Sequence, residues 1–352
     1  MAAGLVRKPS RIAGRLLLGR RFYLDPGVPG GVQGENNLLA YFRKLQDNHR
    51  NHIDFMSTVF QFNSVELLVK TVPWVYRSYR AHGFSFDYFP LELESWKNAI
   101  KKYLDPAAAG EINAVYDWML KHHNKMIKLS AVLPDEDETF PELKDERKKF
   151  GACLLAADFR NGMKIAESIL ARENGQEALY LGLIKPAMYE IGRLWEQDKI
   201  SIAEEHLATS MVGRILSGLY VKLPLPSPDK GKAIVTAAPN EFHELGGRIL
   251  ADMLEAAGWD VFSLGANTPD DELIKLVGKT RPRFLAISLT MPFSIDKVAA
   301  IIFKIKSDPD LEPIRILVGG SAFNADPHLW RQTGADAWAE DPPSAIRQAA
   351  AW

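Results

Sequence analysis

The sequence predicts an α plus α/β protein: two helical blocks followed by a doubly wound parallel sheet of five strands. Three observations carry that reading. From residue 230 onward, apolar runs of strand length alternate with amphipathic stretches of helical length, as in successive strand–helix units. Residues 35–130 and 147–222 instead carry apolar residues at three- and four-residue spacing, as helices do. Between the two parts, Pro224-Leu225-Pro226-Ser227-Pro228 is a stiff spacer of polyproline character.

Length and composition set the bounds. A chain of 352 residues holds two or three domains. Its 47% apolar and 25% charged residues are those of an ordinary globular protein. A net charge of −1 gives no pull toward nucleic acid or an anionic membrane as the main partner. The single cysteine, Cys153, rules out an intramolecular disulfide and favours a reducing, cytoplasmic setting. No apolar run approaches the roughly 18–20 residues of a membrane-spanning helix. Leu16-Leu17-Leu18 is too short for a signal-peptide core.

Residues 1–34 open with Arg7, Lys8, Arg11, Arg15, Arg20 and Arg21 and then become turn-rich. An Arg-rich, acid-poor start fits an organelle transit peptide; a basic, flexible arm is favoured here. Residues 35–133 predict helices over 37–45, 49–60, 64–82, 91–104 and 108–129, dense in aromatics such as Trp74, Tyr76, Tyr79, Trp96 and Tyr116. Such a block is a plain helical core or a sandwich for a flat pigment. His49/His52 and His122/His123 read as solvated pairs on helix surfaces.

The stretch from Val75-Tyr76-Arg77 through Phe84 to Trp96-Lys97-Asn98-Ala99-Ile100 resembles the F–G–H region of a globin. At the position matching a globin's proximal histidine stands Tyr79, which argues against haem held that way. Globin-like folds also hold linear tetrapyrroles. With no cysteine among residues 1–150, the resemblance implies biliverdin held non-covalently. Arg77 and Arg80 would then clamp propionates, since a guanidinium matches a carboxylate in two places. His82 or Asp87 would bond the pyrrole nitrogens. Surface salt bridging is the alternative for all four.

Residues 134–146, acidic and punctuated by proline, read as a linker. Residues 147–223 predict a four-helix bundle, with helices over 148–161, 162–172, 176–195 and 202–222. Ser201-x-x-Glu204 is a capping box that starts the last of these at Ile202. Trp195 ends one helix while Glu205 and His206 open the next, so a short loop brings them to one end of the bundle. The spacing of Trp, nine residues, then Glu-His resembles the adenosylcobalamin photoreceptors of the CarH type. In that family these residues cover the adenosyl face of the corrin. A buried Trp removes about 150–250 Å² from water. A core Trp with a surface Glu-His is the alternative. One departure stands out: CarH-type receptors follow the Trp with a histidine that binds cobalt after illumination, and this chain has Glu196.

Strands are predicted near 232–238, 260–264, 283–289, 314–318 and 336–339, making a flavodoxin-like sheet. Thr268-Pro269 and Asp341-Pro342 each place a cap residue before a proline at the first helical position. The segment Ala237 to Gly247 leaves the first strand and enters a helix, and in such sheets ligands bind beyond the carboxyl ends of the strands. Glu241 lies two residues before His243, where a carboxylate orients an imidazole. Gly246 and Gly247 remove side-chain bulk. The pattern Glu-x-His-x-x-Gly resembles the cobalamin-binding domain, which implies that His243 is the lower cobalt ligand. Ser288-Leu289-Thr290 and Gly319-Gly320 are similar to the elements that line that family's slot for the nucleotide tail. The fifth unit ends at Trp352, so no appended kinase, cyclase or nucleic-acid-binding domain is expected.

The whole arrangement resembles the photocobilins, receptors that pair cobalamin with biliverdin. The resemblance implies a non-enzymatic light sensor with adenosylcobalamin between residues 147–223 and 230–352, and biliverdin in residues 35–133. Photolysis would change a homo-oligomer, a dimer for instance, or the contacts with an effector protein; no membrane partner is implied. Two alternatives stay open. A corrinoid methyl carrier of a cobalamin-dependent methyltransferase system shares His243, Ser288 and Gly319-Gly320 but has no need of the Trp195/Glu205/His206 spacing. A haem-based gas sensor is the other, and Tyr79 speaks against it.

Overall fold

The computed structural model describes residues 35–133 and 139–352, with side chains from residue 48 onward. The basic arm expected over 1–34 and the acidic 134–138 lie outside the described residues. Helix α1 (Glu35–Phe62) is one helix where the spacing predicts two, because residues 46–48 include no proline or glycine to break it. It ends at Asn63 in the left-handed region, φ +49°. The Ser64 hydroxyl then accepts from Leu67 N–H at 3.1 Å and starts α2 (Val65–Ala81). Helix α3 (Tyr88–Tyr103) follows, and Asp105 caps α4 (Pro106–Lys121), with proline at the first position. The single helix expected over 108–129 is broken at His122. There the ring Nδ1–H donates to the Trp118 carbonyl at 2.8 Å, and α5 (His123–Ser130) begins at the next residue.

The second block starts earlier than the composition suggests. The distal half of the expected linker folds: a 3-10 turn at Pro141–Leu143 runs straight into α6 (Lys144–Leu155). Leu143 is buried, and Arg147 donates to the Gly182 and Phe140 carbonyls, both at 2.5 Å. Helix α7 (Phe159–Leu170) packs on α6. A continuous helical run then passes from Gly175–Glu177 through a π-helical turn at Ala178–Ile184 into α8 (Lys185–Glu196). The π turn is wholly buried, and a Cβ at Gly182 would lie 2.6 Å from Leu143 Cδ1, so this close approach requires glycine. The Ser201/Glu204 capping box is present and opens α9 (Ile202–Tyr220).

Five parallel strands follow: β1 (Lys232–Ala237), β2 (Asp260–Ser263), β3 (Phe284–Ser288), β4 (Arg315–Gly319) and β5 (Ala337–Ala339). They are ordered β2-β1-β3-β4-β5. The connecting helices are α10 (Leu245–Ala256), α11 (Asp270–Thr280), α12 (Ile295–Lys306), α13 (Ser321–Ala325) and α14 (Leu329–Thr333), with α15 (Pro342–Ala350) closing the sheet. Alternation along the strands sends Ile234, Leu285, Ile287, Ile316 and Val318 to one face, and Val235, Phe284, Ala286 and Leu317 to the other. The Asp341 cap occurs as expected, within a capping box to Ser344. The expected Thr268 cap does not: Pro269 itself precedes the helix, which starts at Asp270.

The helical blocks take opposite sides of the sheet domain. The bundle docks on α10, where Ile249 joins its core and the Tyr180 hydroxyl donates to Asp252 Oδ2 at 2.8 Å. Arg248 also donates to Ser217 Oγ and to the Gly213 carbonyl. The N-terminal helices share one apolar core with the other face: α1 packs on the Pro292–Ser294 turn and α12, and α2 on α13. The buried Ser64 hydroxyl donates to Asp326 Oδ2 at 2.6 Å across this joint. Helix α2 also touches α8 of the bundle. The N-terminal domain therefore abuts both other units.

Candidate functional site

The site is built at the carboxyl ends of β1, β3 and β4, which are neighbours in the sheet. Register pairs Ala237 with Ser288 and Ser288 with Gly319, so three separate sequence motifs share one edge. Beyond β1 the chain turns through Asn240, in the left-handed region at φ +62°. The turn is braced by the next loop: Asn267 Oδ1 accepts from Asn240 N–H, and Asn267 N–H donates to the Glu241 carbonyl.

Glu241 is the anchor. Its side chain is 2% exposed, whereas that of His243 is 58% exposed. One carboxylate oxygen accepts the N–H groups of Thr290 and Met291, at 2.8 and 2.9 Å. The other accepts the His243 backbone N–H at 3.0 Å and its ring Nδ1–H at 2.5 Å. Burial opposes ionisation, but the bonds from His243 and Met291 outweigh it and hold the carboxyl at a pKa of about 2. The hydrogen bond that His243 donates to Glu241 in turn raises His243 above its ordinary value, against the effect of burial, with Glu205 adding to the attraction. The ring's Nδ1 is thereby committed, and Nε2 is the nitrogen left to meet a ligand.

Glycines let backbone segments pack closely at this sheet edge. A Cβ at Gly246 would meet Ser288 Oγ at 3.7 Å, in ordinary contact where α10 approaches β3. At Gly319 a Cβ would lie 2.9 Å from the Ala339 carbonyl oxygen. Gly320 sits at φ +98°, pressed against the Leu289 backbone, where no other residue fits. Thr290 serves through its backbone: its N–H holds Glu241 and its carbonyl accepts from Ser321 Oγ. An exposed imidazole with a free Nε2, braced by a buried carboxylate, fits a corrinoid cobalt.

On the bundle side, Glu205 and His206 lie in the first turns of α9. His206 Nδ1 and Glu205 Oε2 are 2.6 Å apart, and Thr209 donates to Glu205 Oε1 at 2.9 Å. An open cleft of about 410 Å³ runs between α9 and the start of α10, lined by His206, Thr209, Gly213, Glu244 and Arg248 among others. His206, paired with Glu205, and Glu244, the residue after His243, thus line the same cleft. Trp195 is half-buried at the end of α8, and its ring centroid is 5.6 Å from that of His82 in the N-terminal domain.

The N-terminal residues make contacts within the protein. Arg77 donates through Nε and Nη2 to Glu196, both at 3.0 Å, and through Nη1 to the Ser130 and Val132 carbonyls. These contacts match the salt-bridging alternative for Arg77. Glu196, which stands where CarH-type receptors have a histidine, is buried in this pair. Arg80 lies over the Phe86 ring, 5.6 Å from its centroid. His82 Nδ1–H donates to the Ser78 carbonyl at 2.8 Å, and exposed Asp87 accepts from Ser85.

His49 and His52 are not the solvated pair expected. His49 lies 3.2 Å from buried Glu92, and His52 stacks on Trp96 while its Nε2 bonds the Tyr116 hydroxyl at 2.9 Å. His123 likewise bonds Tyr76. The spacing of His49 and His52 shows one helix face but not what packs on it. Asn267, Thr209 and Arg248 were also missed, since nothing local marks residues that act by bracing a distant loop.

Comparison with known proteins agrees with this geometry. Residues 231–347 match a family model described as a B12 binding domain, and residues 147–220 match a second model of the same description. The dimethylamine corrinoid protein 1 of Methanosarcina mazei is 22% identical over 220 residues, 62% of this chain and 97% of that protein. The HTH-type transcriptional repressor CarH of Myxococcus xanthus is 28% identical over 148 residues, 42% of this chain and 48% of that one. The structure of the Methanosarcina barkeri monomethylamine corrinoid protein aligns with a TM-score of 0.52 at 18% identity, covering 59% of this chain and 98% of that one, which shows a shared fold. The bundle and sheet domain together form a cobalamin-binding module. Among the described residues no helix is long and apolar enough to cross a membrane.

Proposed function

We propose that this protein is a non-catalytic light sensor that binds adenosylcobalamin between bundle and sheet, with His243 Nε2 as the lower cobalt ligand. The observation that carries the reading is the cleft between α9 and α10, lined by His206, which pairs with Glu205, and by Glu244, the residue after His243. The similarity to the repressor CarH supports it. Bound adenosylcobalamin supplies a cobalt–carbon bond that light can break.

In this reading Glu241 fixes the imidazole, and the nucleotide tail lies along the edge that Gly246, Ser288, Gly319 and Gly320 share. Trp195, Glu205 and His206 cover the adenosyl side. Release of that cover repacks the joint between bundle and sheet, a local change biasing a two-state element. A homo-oligomer, such as a dimer, or an effector protein would read the change. With Glu196 held by Arg77, His206, the single histidine of residues 147–223, would serve after illumination. Non-covalent biliverdin in the N-terminal domain rests on that domain's aromatic content. Its contacts would have to exclude Arg77.

The test is an absorption spectrum with adenosylcobalamin and biliverdin, in darkness and after green light, with elution volume measured in parallel. A light-dependent cobalamin spectrum and a changed elution volume are expected. Identical dark and illuminated spectra would sink the sensor. A red-absorbing complex with biliverdin is expected as well, and its absence leaves cobalamin as the sole chromophore. The second reading, a corrinoid methyl carrier, is favoured by the match over nearly the whole dimethylamine corrinoid protein. It predicts methylcobalamin binding at least as tight as adenosylcobalamin.

A further inference from the structure

The N-terminal domain grips the residues next to Trp195 from two sides. Glu196 follows Trp195 directly and is buried with its carboxylate on Arg77 of α2; the two side chains are 7% and 14% exposed. Three guanidinium nitrogens are engaged, on Glu196 and on the Ser130 and Val132 carbonyls at the end of α5. A guanidinium donating in several directions fixes its partner more firmly than an ammonium would. One helical turn after Arg77, the His82 ring packs against the Trp195 indole, and its Nδ1–H is already committed to the Ser78 carbonyl.

The other end of α2 is fixed to the sheet domain. Ser64 both caps α2 and donates to Asp326 Oδ2, in a buried contact 262 residues apart in sequence. At 17 residues, with Pro73 in its interior, α2 is about 25 Å long. It therefore runs between the sheet domain and the end of α8, and the position of Trp195 is set against the sheet by a third element.

We propose that Arg77 and His82 are positioning residues of the cobalamin site: through Glu196 and the Trp195 ring, the N-terminal domain sets the space on the upper face of the corrin. The proposal rests on the reading that Trp195 covers that face. It makes the N-terminal domain a determinant of which upper ligand the module accepts. Any change that tilts α2 would be transmitted to the cofactor, with no contact between α2 and the corrin required.

The experiment measures binding of adenosylcobalamin and hydroxocobalamin to the full chain by absorption titration. Wild type is compared with Trp195→Ala, Arg77→Met and Glu196→Gln, and hydrogen exchange of residues 190–200 is followed without cobalamin. Arg77→Met is expected to weaken adenosylcobalamin about tenfold, the scale of lost supporting contacts at a metal site. Hydroxocobalamin should stay within about twofold, and exchange near Trp195 should quicken. Glu196→Gln keeps an acceptor for Arg77 and should fall between wild type and Arg77→Met; it supplies the answer if Arg77→Met does not fold. An unchanged ratio of the two affinities together with unchanged exchange overturns the proposal. If Trp195→Ala itself leaves the ratio unchanged, the cover reading fails instead, and the exchange of Arg77→Met still reports whether α2 holds the end of α8.

Discussion

Two places in this molecule pair a buried glutamate with histidine, and they do different things. In the loop after β1, Glu241 is 2% exposed and His243 is 58% exposed, so the carboxylate is locked to backbone N–H groups while Nε2 faces outward. In the N-terminal domain, Glu92 is 7% exposed, but His49 is turned onto it and His52 is spent on Tyr116 and Trp96. The chemical parts are the same. Accessibility separates them: one imidazole keeps a nitrogen for a ligand, and the other pair uses its nitrogens to hold helices together.

The largest expected effect is at the open pair. His243→Ala should weaken cobalamin binding by more than about 100-fold, beyond the usual range for supporting residues, while the thermal midpoint of the cobalamin-free protein stays put. Absorption titration measures the first and calorimetry the second; a drop in the midpoint with intact affinity would erase the contrast. Next comes Glu241→Gln, for which about a 10–100-fold loss is expected from a misoriented ring. If hydroxocobalamin binds Glu241→Gln as tightly as wild type, the buried carboxylate is not what aims His243.

At the closed cluster the order reverses. Glu92→Gln should cost about 1–3 kcal/mol of N-terminal stability, the range for disturbing a buried hydrogen-bonded group, with cobalamin affinity unchanged within about twofold. Denaturant unfolding alongside titration checks it, and a larger change in affinity than in stability would mean that the cluster belongs to a ligand site.

Acid sharpens the same comparison more gently. Burial lowers the His52 pKa, so the unfolded chain takes up a proton that the folded domain refuses. That contribution is complete above about 6.5 and is lost as pH falls through 6.5 toward the folded value. Burial works against Glu92 ionisation, but the His49 hydrogen bond and the neighbouring imidazoles win, so its pKa is lowered and the same sign of loss continues below 4.5. Asp252, between bundle and sheet, is raised by burial, with the Tyr180 bond only partly compensating. Its ionised form therefore costs stability, and that cost is relieved as pH falls toward 3.8. Between pH 7 and pH 5, hydrogen exchange should quicken in α1 and α4 and stay flat in α10. Equal acceleration in both would contradict the assignment.

The smallest effect belongs to Asp252→Asn. It keeps an acceptor for Tyr180 without the buried charge, so stability at pH 7 should change by less than about 1 kcal/mol, in the stabilising direction. A clear loss would show that the ionised carboxylate contributes more than its burial costs.

Much of this was legible from the sequence because it is local. Period-two alternation fixes which strand residues face which side, and Ser201/Glu204 and Asp341 begin helices by bonds closed within four residues. Glu241 and His243 meet because they are two residues apart in one turn, and the glycines stand where backbone approach or positive φ demands them. By itself the sequence determined the element types, the sheet and the set of residues at its carboxyl edge. Tertiary structure alone decided the rest: Arg77 with Glu196 across 119 residues, Ser64 with Asp326 across 262, and His52 with Tyr116 across 64. A charged or polar side chain carries no local trace of a distant partner. Whether Arg77 clamps a ligand or a neighbouring helix, and whether a histidine is spent or free, is settled only when the domains pack and burial forces each polar group to find a partner.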